Sequence, residues 1–178
     1  MYKRQYSYYK KLGAEKKPSL PEPFTASRYE DAQRFQNYSC SPVMEGFEPD
    51  THAAEQWSDP FKGGWIAHKQ GSCIKFNVSG SIIMLQYRKT INKPAPVAYA
   101  VIDGDRQNKV LLDANFDEDW GDLCCLEEIY SGAKGEHTVE IVIDTEGKEN
   151  SDFMLISVIT ACLLYTSPSP RDAHEPRM

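Results

Sequence analysis

The sequence predicts an all-β domain, an antiparallel β-sandwich of the jelly-roll type. From Gly63 onward, apolar and polar residues alternate with a period of two in short runs, which is typical of strands with one buried face. The chain also contains 11 Gly and 11 Pro, and many of them separate these runs. No helical period of useful length follows residue 63. Many short strands joined by turns favour a sandwich over a helical or α/β fold.

Eight strands are predicted, and two of their connections carry clear turn signals. Ser79-Gly80 and Asp103-Gly104 each lie between apolar runs and predict hairpin turns. Ile82–Arg88 is apolar on both faces, so we expect a central strand covered on both sides. The predicted strands are Gly64–Ala67, Ser72–Val78, Ile82–Arg88, Val97–Ile102, Lys109–Asp113, Asp122–Tyr130, His137–Asp144 and Phe153–Thr160.

The two ends of the chain differ in character from its centre. Residues 1–5 and 162–178 resemble the translation of an adapter used in shotgun sequencing, so we expect both to be artefacts flanking a gene fragment. Residues 6–24 combine a short predicted N-terminal helix with a linker that holds three prolines in six residues, which favours the end of a preceding domain. The sandwich domain is expected over 25–161. It begins with an edge strand near Phe35 to Val43, followed by a long loop.

Composition excludes several classes of protein. Twenty Lys and Arg against 26 Asp and Glu give a net charge of −6, without a basic run that would neutralise phosphates, so nucleic acid is not expected as a partner. No apolar run is long enough to cross a membrane, and no membrane partner is expected. With 40% hydrophobic residues the chain is not disordered. We expect a soluble protein, with the cytoplasm as the default compartment.

Neither a metal site nor a catalytic motif is indicated by the spacing of the reactive residues. No Cys-x-x-Cys pair, Gly-x-Ser-x-Gly elbow or phosphate-binding glycine loop occurs, and no cofactor is predicted. The cysteines are therefore expected to be buried free thiols, and the histidines to be structural or solvated. The residues concerned are Cys40, Cys73, Cys124 and Cys125, with His52, His68 and His137.

Aromatic residues beside acidic loops give the one candidate binding site. Trp57 and Trp120 are flanked by Ser-Asp and Glu-Asp, and flat rings stack on sugars while carboxylates accept hydrogen bonds from hydroxyl groups. We therefore predict a ligand-binding surface that includes Trp57, Trp120, Asp119 and Tyr87. Packing in the core is the alternative for each ring. For Trp65 and Tyr99, which lie inside predicted strands, core packing is the favoured interpretation.

A set of motifs in fixed order resembles a known family. These are Gly63-Gly64-Trp65, Gly71-Ser72-Cys73-Ile74-Lys75-Phe76, Gly80-Ser81-Ile82, Ala100-Val101-Ile102-Asp103-Gly104, Gly135-Glu136-His137-Thr138-Val139 and Phe153-Met154-Leu155-Ile156-Ser157. Their order over Gly63 to Ala161 is similar to the jelly-roll domain that accompanies SGNH/GDSL-type hydrolases, as in carbohydrate esterase family two.

The resemblance implies a partner domain and a function. In that family the sandwich packs against an α/β hydrolase domain that uses a serine and a histidine to deacylate carbohydrate esters. The Gly-Asp-Ser block of that domain is absent here, since Gly104-Asp105 is followed by Arg106 and Gly121-Asp122 by Leu123. No catalytic residue is therefore assigned. We expect an accessory domain whose partner is the parent's own hydrolase domain, placed upstream. A free-standing carbohydrate-binding module and a purely structural sandwich are the alternatives.

Overall fold

The computed structural model describes residues 29, 31–52, 59–149 and 151–162. It contains antiparallel strands and one short 3₁₀ helix, Arg106–Asn108, and it confirms the predicted all-β class. The strands are β1 (Gln33–Phe35), β2 (Val43–Glu45), β3 (Phe47–Pro49), β4 (Trp65–Ala67), β5 (Cys73–Lys89), β6 (Val97–Ile102), β7 (Val110–Asp113), β8 (Leu123–Thr145) and β9 (Phe153–Ala161). In the described part of the chain, no helix is long and apolar enough to cross a membrane.

Two long strands, β5 and β8, run through both halves of the molecule. Cys73 to Gly80 pairs with the second half of β8, whereas Ile82 to Lys89 pairs with its first half, and the register shifts between Gly80 and Ile82. The predicted hairpin turn at Ser79-Gly80 is therefore wrong, because the chain bends there but continues as one strand. A side chain on Gly80 would lie within 3.1 Å of the Ile82 carbonyl oxygen, so glycine permits the bend.

The same continuity overturns a second prediction. The expected strands Asp122–Tyr130 and His137–Asp144 are parts of one strand, Leu123–Thr145. Residues 131–136 contain Gly132, Lys134 and Gly135, which resemble a turn locally. Pairing with β5 on both sides of this stretch keeps it extended, because each half of β8 gains a full ladder of hydrogen bonds.

The bend divides the strands into two sheets that face each other. The first sheet contains β2, the first half of β5, the second half of β8, β6 and β7, and the second contains β3, β4, β9 and the other halves of β5 and β8. Strand β1 pairs with β9. The Trp65 ring of the second sheet meets the Phe76 ring of the first edge-on, with centroids 5.0 Å apart. Their contact places one shared apolar core between the sheets.

The two sheets differ in how far the side chains of β5 on their outer faces are buried. In the first sheet, Ile74, Phe76 and Val78 are buried and the residues between them face outward. In the second sheet, Ile82 to Leu85 are buried without alternation, which confirms that Ile82–Arg88 is a central strand covered on both sides.

The segment before residue 50 differs from the prediction. Instead of one strand near Phe35 to Val43, the chain turns after β1, where the Gln36 amide donates to Ser39 Oγ at 2.8 Å and the Ser39 amide donates to the Gln36 carbonyl at 2.9 Å. The short strands β2 and β3 follow where a loop was expected. The predicted N-terminal helix, the linker, residues 1–5 and residues 163–178 lie outside the described residues.

The connections between the sheets lie at one end of the sandwich. The loops from β4 to β5, β5 to β6, β7 to β8 and β8 to β9 all cross between the sheets there, and we call this the crossover end. At the opposite end β6 and β7 form the predicted hairpin, with Asp103 at φ 50° and Gly104 at φ 78°. This end also holds the bends of β5 and β8.

Replacing Gly64 tests the packing of β4 against β9. An added Cβ would overlap the carbonyl oxygen of Leu155 and lie 2.8 Å from Ile156 Cα, and neither backbone atom is free to move away. We expect Gly64→Ala to lower the free energy of unfolding by about 2–3 kcal/mol in urea denaturation. Gly135→Ala is the matched control, since its Cβ would meet only the His137 ring at 3.5 Å, an ordinary contact. Equal losses in both variants would contradict the packing described here.

Candidate functional site

Two loops at the crossover end are fastened to each other at their bases. The Thr90 amide donates to the Ala114 carbonyl at 2.8 Å, and the Phe116 amide donates to the Thr90 carbonyl at 3.0 Å. The Asn115 side chain accepts from the Ala95 amide at 2.9 Å and donates to the Ala95 carbonyl at 3.2 Å. These bonds hold the β7–β8 loop in a defined position on the β5–β6 loop.

The β7–β8 loop presents an aromatic ring to solvent. Trp120 is 64% exposed, and its ring stands edge-on to Phe116 with centroids 5.1 Å apart and planes at 86°. Phe116 is itself half-buried and packs against one part of the indole, most of which stays exposed. This is the predicted placement of Trp120 in a loop rather than in the core.

Three acidic residues directly precede this ring in the same loop. Asp117 forms an ion pair with Lys93 of the facing loop, and the hydrogen bond and charge of Lys93, followed by the charge of Lys89, lower the pKa of Asp117. Glu118 and Asp119 are exposed and form no ion pair among the described residues. We call Phe116 to Trp120 together with Lys93 the Trp120 rim. It offers hydrogen-bond acceptors beside a flat ring.

A second charged group anchors the end of the same loop. Arg88 Nε lies 3.8 Å from the Asp122 carboxylate, and its Nη2 donates to the Asp152 carbonyl at 3.4 Å. The Asp152 carboxylate in turn pairs with His68. Three connections of the crossover end, β4–β5, β7–β8 and β8–β9, are thereby linked.

The other predicted aromatic residues lie elsewhere. Tyr87 is 2% exposed and stacks on Phe153 with centroids 5.9 Å apart, and burial raises the pKa of its hydroxyl. A ring packed in the core offers no face to a ligand, so the assignment of Tyr87 to the site is corrected. Trp57 lies outside the described residues. Trp65 is 1% exposed, as expected for core packing, whereas Tyr99 is only half-buried.

The structure reveals an aspartate beside each described histidine, a feature that sequence reasoning missed. His52 Nδ1 lies 2.7 Å from Asp50, His137 Nδ1 lies 2.8 Å from Asp103, and His68 pairs with Asp152. Only Asp50 is close in sequence to its histidine, and that two-residue spacing was the one available signal. Among the described residues, none of these rings receives a hydrogen bond from a serine hydroxyl.

His137 has a structural role. Its ring is 9% exposed and lies 4.1 Å from the Tyr130 ring, and its buried Nε2 has no hydrogen-bond partner. The hydrogen bond between Nδ1 and Asp103, at 2.8 Å, is therefore the polar contact that holds this ring among the described residues. This arrangement fastens the β6–β7 hairpin to β8.

The cysteines are free and half-buried. Burial and a hydrogen bond to Glu140 raise the pKa of the Cys73 thiol to about 11, and burial also raises the pKa of Cys40 and Cys124. Thiols held protonated at neutral pH are poor nucleophiles and poor metal ligands. In the part of the chain that the structure describes, no three metal-ligating side chains come together.

Comparison with known proteins places this fold beside a group of enzymes. No family model and no curated protein matches the sequence. Among solved structures, a two-domain esterase active on acetylated mannans, co-crystallized with mannopentaose, is 38% identical with a TM-score of 0.75 over 92% of this chain. Carbohydrate esterases are thus among the structural neighbours of this chain. A second crystal structure of a two-domain esterase active on acetylated mannans is 39% identical over 88% of this chain, with a TM-score of 0.74.

The structural match covers most of this chain but only part of the solved esterase. The chain spans 45% of the length of that two-domain esterase. A family two carbohydrate esterase from Cellvibrio japonicus, at 15% identity and a TM-score of 0.52, shares the fold. The resemblance to a family two accessory sandwich, predicted from the motif order, is confirmed.

The Asp103–His137 pair predicts a dependence of stability on pH. The hydrogen bond from His137, followed by that from the Thr138 amide, lowers the pKa of Asp103. A carboxyl whose pKa is lower in the folded state stabilises the fold above the unfolded value of about 3.9, and this contribution disappears as pH falls through the folded value. Asp103→Asn should therefore reduce the free energy of unfolding at pH 7, and the difference from the unmodified chain should shrink as the pH falls below the unfolded value of about 3.9.

The control for this variant is Asp119→Asn, because Asp119 has no hydrogen-bond partner among the described residues. Urea unfolding of both variants between pH 7 and pH 2.5 is the measurement. A loss for Asp103→Asn that stays constant across this range would show that the charge of Asp103 makes no contribution.

Proposed function

We propose that this chain is the non-catalytic accessory sandwich of an SGNH/GDSL-type carbohydrate or acyl esterase, and that the catalytic domain lies elsewhere in the full protein. The observation that carries the proposal is the asymmetric match, which includes 92% of this chain but 45% of a two-domain esterase. The remainder of such an enzyme has room for a hydrolase domain, which would be the partner of this sandwich.

The chemistry of the described residues supports a non-catalytic role. Acyl transfer needs a nucleophile activated by a base, and the base must be oriented by a third group. The three histidine–aspartate pairs supply a base and an orienting group, yet no described serine hydroxyl reaches them. Burial and the hydrogen bond to Glu140 raise the pKa of the Cys73 thiol to about 11, which disfavours this thiol as the nucleophile at neutral pH.

We further infer that the Trp120 rim binds a neutral polysaccharide. The exposed indole provides a stacking face, and the unpaired carboxylates of Glu118 and Asp119 provide acceptors for sugar hydroxyls. Negative charge at this rim disfavours an anionic chain. The esterase of similar fold was co-crystallized with mannopentaose, so a mannan is the first ligand to test. Trp57 remains part of this proposal from the sequence.

Replacing Trp120 tests the binding proposal. Trp120→Ala should weaken binding to acetylated or plain mannan by about 1–3 kcal/mol, the magnitude of one aromatic stacking contact, as measured by calorimetry or affinity electrophoresis. The melting temperature should change little because the ring is 64% exposed. Tyr38→Ala is the matched control, since Tyr38 is an exposed ring, 79% accessible, on another loop. Unfolding of Trp120→Ala, or unchanged mannan binding, would exclude Trp120 from the site.

A direct assay tests the non-catalytic role. We expect no turnover of p-nitrophenyl acetate by this chain above a heat-denatured control. Turnover that a single substitution such as His52→Ala abolishes would reveal a catalytic site and contradict the proposal.

A free-standing carbohydrate-binding module is the second candidate, favoured by a Trp120 rim that needs no enzyme to bind sugar. The gene sequence beyond both ends of this chain separates the two candidates. The first requires a Gly-Asp-Ser block on one side, and the second does not.

A further inference from the structure

The outer face of the first sheet carries two parallel rows of side chains across its strands. The strand register places Cys73, Val142, Tyr99 and Leu111 in one row. It places Lys75, Glu140 and Val101 in the next row. Arg106 and Lys109, from the connection between β6 and β7, extend over the same face, as their contacts with Glu140 and Tyr99 show. We call these two rows the sheet platform.

The first row is apolar although it faces outward. Leu111 is 52% exposed, and Cys73, Val142 and Tyr99 are each half-buried. On the neighbouring strand β2, Val43 is 73% exposed and lies opposite Lys75, so it adds an apolar side chain at the end of the second row. The solvent face of an antiparallel sheet is ordinarily polar, so a continuous apolar row across four strands is an unusual feature that favours contact with a ligand.

The second row carries positive charges that are incompletely neutralised. The Glu140 carboxylate is shared, because Lys75 Nζ lies 3.1 Å from one oxygen and Arg106 Nη2 lies 3.6 Å from the other. Lys109 Nζ stands 3.5 Å above the Tyr99 ring and has no ion pair among the described residues. Glu45, the other carboxylate of the two rows, lies at the far edge on β2. The β6–β7 connection also holds Asp103 and Asp105, whose carboxylates accept hydrogen bonds from Thr138 and Asn108. Arg106 and Lys109 are the cations of this connection that contact the platform.

We propose that the sheet platform is a second binding site, for a polysaccharide that bears carboxylates. The apolar row would receive the hydrophobic faces of the sugar rings, and Arg106 and Lys109 would pair with the carboxylates of the chain. Arg offers two parallel donors that match the geometry of a carboxylate. Such a ligand is anionic. The Trp120 rim, which is acidic and lies at the crossover end, favours a neutral chain instead.

The length of the sheet platform and the screening of the net charge by salt both agree with such a ligand. Neighbouring strands are about 4.8 Å apart, so the platform from β5 to β7 extends roughly 14 Å, enough for several contacts along a polymer. The net charge of −6 opposes an approaching anion at long range. At physiological ionic strength, charges separated by more than about 8 Å are largely screened, and the local cations then dominate.

Polygalacturonate is the probe, and affinity electrophoresis or calorimetry of the full chain is the measurement. We expect binding that the double variant Arg106→Gln with Lys109→Gln weakens by about tenfold, since each exposed ion pair is worth at most about 1 kcal/mol. Added salt should weaken the interaction, and Leu111→Ser should weaken it as well. The folded state is checked by the melting temperature of each variant, because all three side chains are exposed and replaceable.

The outcomes separate this proposal from that for the Trp120 rim. Trp120→Ala should leave polygalacturonate binding unchanged, and the double variant should leave mannan binding unchanged. The proposal is overturned if polygalacturonate is not bound, or if the double variant binds it as well as the unmodified chain. Equal binding of poly-glutamate would also overturn it, since charge alone and not the sugar would then be recognised.

Discussion

The antiparallel pairing of β5 with β8 is the interaction on which the rest of this structure depends. Because both strands continue through the bend near Gly80, the pairing joins the two sheets covalently as well as by hydrogen bonds. The sheets then face each other across one core, in which Trp65 meets Phe76. Breaking the ladder at its centre would separate the two faces of that core, so this region couples every other strand to the fold.

The position of the candidate sites follows from that bend. With both long strands turned at one end, the loops that connect the sheets collect at the other, and Asn115 fastens two of them together. Because the loops of the Trp120 rim are fastened to each other, little conformational entropy of the protein would be lost when a ligand binds to Trp120. The outer face of the first sheet carries the sheet platform, where Leu111, Arg106 and Lys109 are exposed. The two proposed sites therefore differ in charge, with carboxylates at the Trp120 rim and with Arg106 and Lys109 on the sheet platform.

The chemistry of the described side chains supports the proposed non-catalytic role. The histidines resemble parts of a catalytic triad only in pairs, and two of the three pairs join segments that are distant in sequence. His137 fastens a hairpin to β8, and His68 links the start of β9 to the end of β4. These contacts contribute to the rigidity of the segments that they join.

The sequence by itself determined the all-β class, the bounds of Val97–Ile102, the Asp103-Gly104 hairpin and the exposed loop position of Trp120, because these depend on local periodicity and turn chemistry. The tertiary structure alone decided that Ser79-Gly80 continues a strand, since the partner that keeps it extended lies more than fifty residues away. It also decided that Tyr87 is core and that His137 has an aspartate partner. A pattern of alternation gives the face of a strand, whereas the register between distant strands decides which side chains meet.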